Sequence, residues 1–551
     1  MNSVFSRVSA RPVVAARAGI APLLFLLLAA GLAVQAQPAY HPDTVTPGQL
    51  RVDEVMNLID GNYTEAPDMN KMSEAAINAM LRSLDPHSVY IAAKDVKRAN
   101  EGLEGNFEGV GISFQIVNDT VVVQSVIDGG PSEKVGVMIG DKLISIDGIA
   151  ATGDSARNDF IFRHLRGKKG TTVVVDILRQ GTTYTFHIVR DKIPIYSIDT
   201  YFMADDTVGY IRLIRFARTS LDEFRKAVKA LKKQGMTALI LDLRGNSGGY
   251  LDIAHGLASE FLERGQLVVY QQGRRTPRQD YRANGRGNFR AQRAADGEVV
   301  GGRLVVLIDE TSASASEIVA GAIQDWDRGT LVGRRSFGKG LVQRMFPLAD
   351  GGQLRLTTAR YYTPSGRCIQ RPYDEGDDVY HQDVNRRFRH GELVNADSIH
   401  FADSLQFKTA HGRTVYGGGG IMPDVFVPMD TMRLSDYYIS LRGKGLLNSF
   451  PLQWADAHRR DARVATFDLF LQNYDSFGLD SLLTAAAIEQ GIVRDTDKEA
   501  AEPERTAHSD RYMWLMLKAQ VARNLFGIDY YYKVMKEVDD GYRRALELLQ
   551  H

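Results

Sequence analysis

Apolar residues change their spacing three times along this chain, and each change predicts a different architecture. Over 48–97 they recur at helical intervals. Val52, Val55, Met56 and Ile59 share one face, and Met72, Ile77, Met80, Leu81 and Leu84 share another. Leu84-Asp85-Pro86-His87-Ser88 closes that pattern with a proline stop. Over 104–190 short runs take over. Ser113-Phe114-Gln115-Ile116, Val121-Val122-Val123, Leu143-Ile144-Ser145-Ile146, 172–178 and 183–189 predict strands, with one helix over 155–165. Turns fall at Gly129-Gly130-Pro131 and Asp147-Gly148. Over 193–429 strands at 238–243, 304–308 and 330–333 alternate with helices at 251–264 and 316–325, the order of an α/β layer fold. Past Asp430 the spacing is helical again, ending in helices over 513–522 and 530–549 that read as packing or oligomerisation elements.

The first segment follows different rules. Arg7, Arg11 and Arg17 precede an almost wholly apolar run over 19–34, and Val34-Gln35-Ala36 supplies small residues at cleavage spacing. This predicts a signal peptide, residues 1–36, cut after Ala36, and an extracytoplasmic, periplasmic protein. The alternative is an uncleaved anchor, because the run approaches spanning length. No cysteine follows it, which excludes a lipoprotein anchor, and no second membrane candidate lies beyond.

Composition narrows the chemistry. A chain of 551 residues implies about two to four domains. With 67 basic and 67 acidic residues, no global field selects nucleic acid, so function rests on local sites. Arg274, Arg275, Arg282 and Arg286 lie in a stretch, 272–300, that reads as a solvated loop, since aromatic interleaving is sparse. The single Cys368 excludes an internal disulfide, and no partner histidine in an evident motif supports a catalytic thiol there. There is no H-E-x-x-H and no Walker loop, so no cofactor, metal or nucleotide is implied.

The strand order over 104–190 resembles a PDZ domain. Gly109-Val110-Gly111-Ile112 stands where that family has its carboxylate-binding loop, and Gly140-Asp141-Lys142-Leu143-Ile144 with Asp147-Gly148 matches its central strand. Glycines let successive N–H groups turn toward one anion, and the adjoining strand offers an edge to a peptide. The resemblance implies that Gly109, Val110, Gly111 and Ile112 bind the end of a peptide. Arg166, in Leu165-Arg166-Gly167, reads as a solvated charge, with coupling to a catalytic site as the alternative.

Three stretches offer a nucleophilic serine. Ser247, in Gly245-Asn246-Ser247-Gly248-Gly249, looks like the loop of chymotrypsin-like proteases, which need histidine and aspartate upstream. Tyr250 replaces the usual proline, and the upstream histidines are His41, His87, His164 and His187. Ser336-Phe337-Gly338-Lys339 has S-x-x-K spacing, but flanking glycines disfavour the helical turn it needs. Ser314, in Thr311-Ser312-Ala313-Ser314-Ala315-Ser316-Glu317, falls between a buried strand and a helix start, where free N–H groups and the dipole stabilise an oxyanion. Its base would be Lys339, whose pKa burial must lower.

These segments together resemble the carboxyl-terminal processing peptidases. Ser312-Ala313-Ser314-Ala315-Ser316-Glu317-Ile318, Ser336-Phe337-Gly338-Lys339-Gly340 with Gln343, Asp242-Leu243-Arg244-Gly245-Asn246-Ser247-Gly248-Gly249, Leu84-Asp85-Pro86-His87-Ser88, the run from Thr358 through Gly366, and Gly417-Gly418-Gly419-Gly420-Ile421-Met422-Pro423-Asp424 stand in family order over 50–430. The resemblance implies a crotonase/ClpP-like α/β core with a PDZ domain and helical N- and C-terminal regions. Domains are expected at 37–97 (helical), 98–190 (PDZ), 191–430 (catalytic) and 431–551 (helical). It further implies Ser314 as nucleophile, Lys339 as base, Gln343 orienting the lysine, and an oxyanion hole from the N–H of Ala315 and that of Gly248 or Gly249. Ser312 and Ser316 are assigned to the turn and helix cap, and Glu317 to the helix dipole. Expected partners are protein or peptide C-termini with apolar last residues, not nucleic acid, and a homodimer through the terminal helices. A non-catalytic PDZ adaptor and a trypsin-like protease using Ser247 are the competing readings.

Overall fold

The computed structural model describes residues 45–117, 119–127, 129–290, 292–293 and 299–550, so the expected signal segment, 1–36, lies outside the described residues. The first helix, α1 (Pro47–Asn62), begins at a capping box in which Thr46 and Gln49 satisfy each other's backbone N–H. A second, α2 (Met69–Arg82), leads to a turn organised by Asp85, whose carboxylate accepts from the N–H of His87 (2.8 Å), the N–H of Ser88 (2.9 Å) and the Ser88 hydroxyl (2.6 Å). The uniform helical expectation over 48–97 is corrected here. A strand, β1 (Val89–Ile91), precedes α3 (Ala93–Glu104) and pairs with a strand far along the chain, Gln353–Tyr362. Three residues are too few to carry a period of two, so the strand is invisible in the pattern.

The next sheet runs in the order β2 (Ile112–Val117), β3 (Thr120–Val126), β4 (Lys142–Ile146), β5 (Thr172–Arg179), β6 (Thr182–Val189), with α4 (Asn158–Leu165) inserted before β5. Val121, Val123, Leu143, Ile146, Val173, Val175 and Ile177 alternate inward and pack on Ile161 and Leu165 of α4. Arg190 caps the end of α4, donating to the carbonyls of His164 (2.7 Å) and Leu165 (3.1 Å). The first strand, β2, stands at the edge of this sheet.

A six-stranded sheet follows: β7 (Ile198–Met203), β8 (Val208–Leu213), β9 (Ala238–Asp242), then, further along, β11 (Arg303–Ile308), β12 (Thr330–Gly333) and β15 (Val425–Phe426). All neighbours in it are parallel except β7 and β8. Between these strands lie α5 (Ser220–Lys233), α6 (Leu251–Ala258), β10 (Leu267–Gln272), α7 (Ala315–Asp325), β13 (Leu341–Pro347) and β14 (Gln353–Tyr362), with β10, β13, β14 and β1 in a second sheet. The expected helix over 251–264 stops at Ala258. Parallel strands must be covered on both faces, and here each face has its own core. Ile211, Leu213, Leu239, Leu241, Val306 and Ile308 meet Phe224, Leu257 and Ile318 of α5, α6 and α7.

The opposite face, Tyr210, Ala238, Ile240, Val305, Leu307 and Val332, is covered from the C-terminus. There the chain forms α8 (Asp436–Gly443), α9 (Leu446–His458), α10 (Phe467–Asn473), α11 (Leu479–Glu489), α12 (Pro503–Phe526), α13 (Ile528–Met535) and α14 (Asp540–Gln550). Tyr542, Ala545 and Leu549 of α14 lie against the sheet. The single helix expected over 530–549 is therefore two, broken between Met535 and Asp540. Among the described residues no helix is long and apolar enough to cross a membrane.

Phe224 is wholly buried and meets Phe261 edge-on at 5.6 Å. Phe224→Ala should cost about 3–5 kcal/mol in chemical denaturation followed by tryptophan fluorescence; a loss below about 1 kcal/mol would contradict this core assignment.

Candidate active site

Three loops leave the carboxyl ends of adjacent parallel strands and converge: 243–250 after β9, 309–314 after β11 and 334–340 after β12. That end of an open parallel sheet is where α/β folds carry their sites. The middle loop delivers Ser314 to the N-cap of α7 with φ 55° and ψ −111°. This conformation is strained for a residue with a Cβ, so the surroundings must enforce it.

They do so through Glu317. This side chain is fully buried, and its two oxygens accept from the backbone N–H of Ser314 (2.8 Å), Gly338 (2.7 Å) and Lys339 (2.9 Å) and from the Ser336 hydroxyl (2.5 Å). The expectation that Glu317 merely complements the helix dipole is thus corrected: it is the junction between the Ser314 turn and the Lys339 loop. The Ser-x-x-Glu spacing of a capping box was the available signal. Burial pushes the Glu317 carboxyl up to about 7, against the opposing pull of the four donors. Tyr361 adds a second tie, its hydroxyl lying 3.1 Å from the Ser314 carbonyl oxygen and 2.7 Å from that of Lys339.

The glycine loop packs against Ser314 from the other side. A Cβ on Gly248, at φ 105°, would lie 2.8 Å from the Ser314 Cβ and 3.0 Å from the Ala315 nitrogen, so only glycine fits. The Gly248 N–H donates to Asn246 Oδ1 at 2.9 Å. Phe216 donates to the Gly248 carbonyl (3.0 Å) and accepts from the Tyr250 N–H (2.9 Å), forming a parallel bridge to Gly249. In such a bridge the N–H of Gly249 itself turns away from Phe216. At the helix start the Ala315 N–H belongs to the first turn, which has no intrahelical acceptor.

Lys339 is partly buried, and its amine donates to Gln343 Oε1 at 3.3 Å. The Gln343 amide in turn donates to the carbonyl of His87, in the Asp85 turn. The β13–β14 register shifts beside it: Val342 stands opposite Ala359 and Gln343 opposite Thr357, so the extra residue is Thr358 of β14. Burial lowers the Lys339 pKa; Glu317 and Asp85 oppose this, while Arg355 reinforces it. Burial also drives His87 down to about 3, so its ring is neutral.

Ser314, Lys339, Gln343, Gly248 and Gly249 all line one cavity of about 290 Å³, with Leu251, Ile318, Leu341 and Tyr361 among its apolar walls. Ser247 lines it as well, but among the described residues no histidine does, and a trypsin-like reading needs one as base. Ser336 is buried, bonded to Glu317 and to the Ile421 N–H (2.6 Å), in a non-helical segment; the S-x-x-K arrangement is not formed. Cys368 lies elsewhere, and burial raises its thiol pKa. In the PDZ region the carbonyls of Val110 and Gly111 are tied back, to Ser132 (3.0 Å) and Ile127 (2.9 Å). Arg166 is not simply solvated: it pairs with Glu101 of α3 at 2.7 Å and lies over the Phe107 ring.

Comparison with known proteins agrees with this anatomy. Residues 109–189 match a PDZ domain, 207–377 match peptidase family S41, and 437–527 match a family of unknown function. A carboxy-terminal-processing protease of Bartonella bacilliformis is 34% identical over 434 residues, 77% of this chain and 96% of that protein. A probable CtpA-like serine protease of Staphylococcus aureus is 32% identical over 321 residues, 58% of this chain and 62% of that one. A photosystem II D1 C-terminal processing protease superposes with a TM-score of 0.35 at 26% identity, over 71% of this chain and 95% of its own. A mixed α/β protein with a PDZ domain and this peptidase domain is a serine-type peptidase. The chain belongs to peptidase family S41.

Glu317→Gln replaces one acceptor oxygen with an amide N–H₂ facing donors, and each unsatisfied group costs about 1–3 kcal/mol. The variant should melt lower and lose at least about tenfold in kcat. The wild type, whose Glu317 binds its proton more tightly folded than unfolded, should lose stability relative to the variant as pH rises from 4.5 to about 7. Unchanged melting and turnover would contradict the junction role.

Proposed function

We propose that this protein is an exported endopeptidase that holds the C-terminal tails of unfolded proteins in its PDZ groove and cleaves them by acyl transfer through Ser314 and Lys339. The observation that carries this reading is the partly buried Lys339 amine, its pKa lowered by burial and one hydrogen given to Gln343, in the cavity that Ser314 also lines. A neutral amine so engaged keeps its lone pair for the serine hydroxyl.

In the proposed reaction the Ser314 Oγ forms a bond to the peptide carbonyl carbon as its proton passes to the Lys339 Nζ. The oxyanion is held by the N–H groups of Ala315 and Gly249; the Gly248 N–H is already used by Asn246. Lysine then protonates the departing amine as the C–N bond breaks. Water, losing a proton to Lys339, attacks the acyl-enzyme, and the lysine returns that proton to Ser314 Oγ as the acyl C–O bond breaks.

Substrate capture rests on β2, a sheet edge beside Gly109-Val110-Gly111-Ile112, in which the Val110 and Gly111 carbonyls are engaged on the protein side. This favours strand addition with the terminal carboxylate at the loop. Tails with apolar last residues suit the accessible rings of Phe114 and Phe162, whose centroids lie 5.4 Å apart. The α/β layer is assigned to a crotonase/ClpP-like core. The assigned divisions are a signal segment at 1–36, helical 37–97, PDZ 98–190, catalytic 191–430 and helical 431–551. Export follows from the basic and apolar leader and implies a periplasmic site of action, free or anchored. Homodimerisation through the terminal helices completes the proposal.

Cleavage of an unstructured peptide should vanish in Ser314→Ala and Lys339→Ala and persist in Ser247→Ala. A deprotonated lysine is the active form, so kcat/KM should climb with pH, with a midpoint below the ordinary lysine value of 10.5. Amidating the peptide's C-terminus should raise KM. Activity that survives Ser314→Ala but not Ser247→Ala would overturn the assignment.

A further inference from the structure

The glycine loop that lines the cavity is tied to the far end of the chain. Asp242, the last residue of β9 before that loop, is wholly buried and accepts from Tyr210 Oη (2.6 Å), Arg212 Nη1 (3.0 Å) and the Arg244 side chain (Nη2, 2.6 Å; Nε, 3.0 Å). Arg244 turns its two outer nitrogens to a second carboxylate, that of Asp539, at 2.8 and 2.7 Å. Asp539 stands at the start of α14: its carbonyl accepts from Arg543 (2.9 Å) and its Oδ1 from the Tyr542 N–H (2.9 Å). Gly541 makes room, since a Cβ there would lie 3.0 Å from Arg244 Nη1.

We propose that Asp539 is a positioning residue for the catalytic loop: by clamping Arg244 against Asp242, it holds the C-terminal helix and the turn carrying Gly248 and Gly249 as one rigid piece. Two features favour this over a merely structural pair. A guanidinium held by one carboxylate and by a second from a different element has its plane fixed, and the Arg244 backbone N–H donates to the same Asp242 (2.9 Å), so side chain and backbone are anchored together. That backbone feeds straight into the turn. Asn246, two residues on, donates its side-chain amide to Leu213 (2.8 Å), accepts at its carbonyl from Ala313 (3.0 Å) and Ser316 Oγ (2.8 Å), and holds Gly248. Displacement at Arg244 is therefore passed to the residues flanking Ser314. The C-terminal helices, which carry no reacting group, become part of the catalytic unit.

The inference rests on the acyl-transfer reading above, and the test separates the two. Asp539→Asn keeps a good helix-cap oxygen for the Tyr542 N–H but removes the charge and one of the two acceptors that clamp Arg244. In full-length protein, verified folded by circular dichroism at the assay temperature, kcat on an unstructured peptide should fall roughly tenfold with little change in KM, as expected when oxyanion donors are misplaced. Asp539→Glu should recover part of that loss, and Asp539→Asn should add little in an Arg244→Met background. A purely structural pair would lower the melting midpoint and leave kcat of the folded enzyme within about twofold of wild type, which would overturn the proposal, as would losses that multiply in the double variant. Ser314→Ala on the same peptide must be inactive; if it is not, the acyl-transfer reading fails, whatever Asp539→Asn does.

Discussion

One buried carboxylate holds the site together. Glu317 accepts four hydrogens, from the N–H groups of Ser314, Gly338 and Lys339 and from Ser336. Each donor belongs to a segment whose own backbone bonding is incomplete: a helix entrance on one side and an irregular, glycine-rich loop on the other. Without an acceptor at this point, buried N–H groups would stand unpaired and the positive φ of Ser314 would have nothing to enforce it. The same contacts bring together two residues that lie 25 positions apart in sequence, Ser314 and Lys339. Their cost is a carboxyl so desolvated that it titrates near neutral pH.

The layers around that junction explain why it can be strained. Parallel strands β8, β9, β11 and β12 are buried on both faces, by α5, α6 and α7 on one side and by α14 on the other. Loops that leave the same end of such a sheet have fixed roots, so short-range strain is opposed by long-range packing. The second sheet supplies Gln343 through β13 and Tyr361 through β14, and the Asp85 turn supplies the carbonyl that receives the Gln343 amide. Thr357 of β14 donates to the same Asp85 at 3.1 Å, closing the circuit.

Much of this was legible in the residues, for reasons that differ from part to part. The strand–turn–helix around Ser314 and the strands at 238–243, 304–308 and 330–333 follow from runs of apolar residues bounded by turns. Lys339 follows as the candidate base for Ser314 from the residues themselves, whereas Gln343 comes only from family resemblance, since local spacing cannot report which side chain reaches a buried amine. Glu317 was read as an ordinary first-turn acid because charge at a helix start is common and its partners at 336–339 arrive from another loop. β1 was hidden by its shortness, and the seat of α14 on the sheet by the fact that an amphipathic helix does not name the surface it covers. Asp539 lies in a region where no motif singles it out.

The proposed chemistry turns on a lysine amine that burial makes easier to deprotonate than an exposed one. Observing the Lys339 side-chain resonances by NMR across a pH titration, assigned against Lys339→Met, measures this directly. The predicted result is a titration midpoint clearly below 10.5. A midpoint at or above that value, with the protein folded throughout, would contradict the central claim.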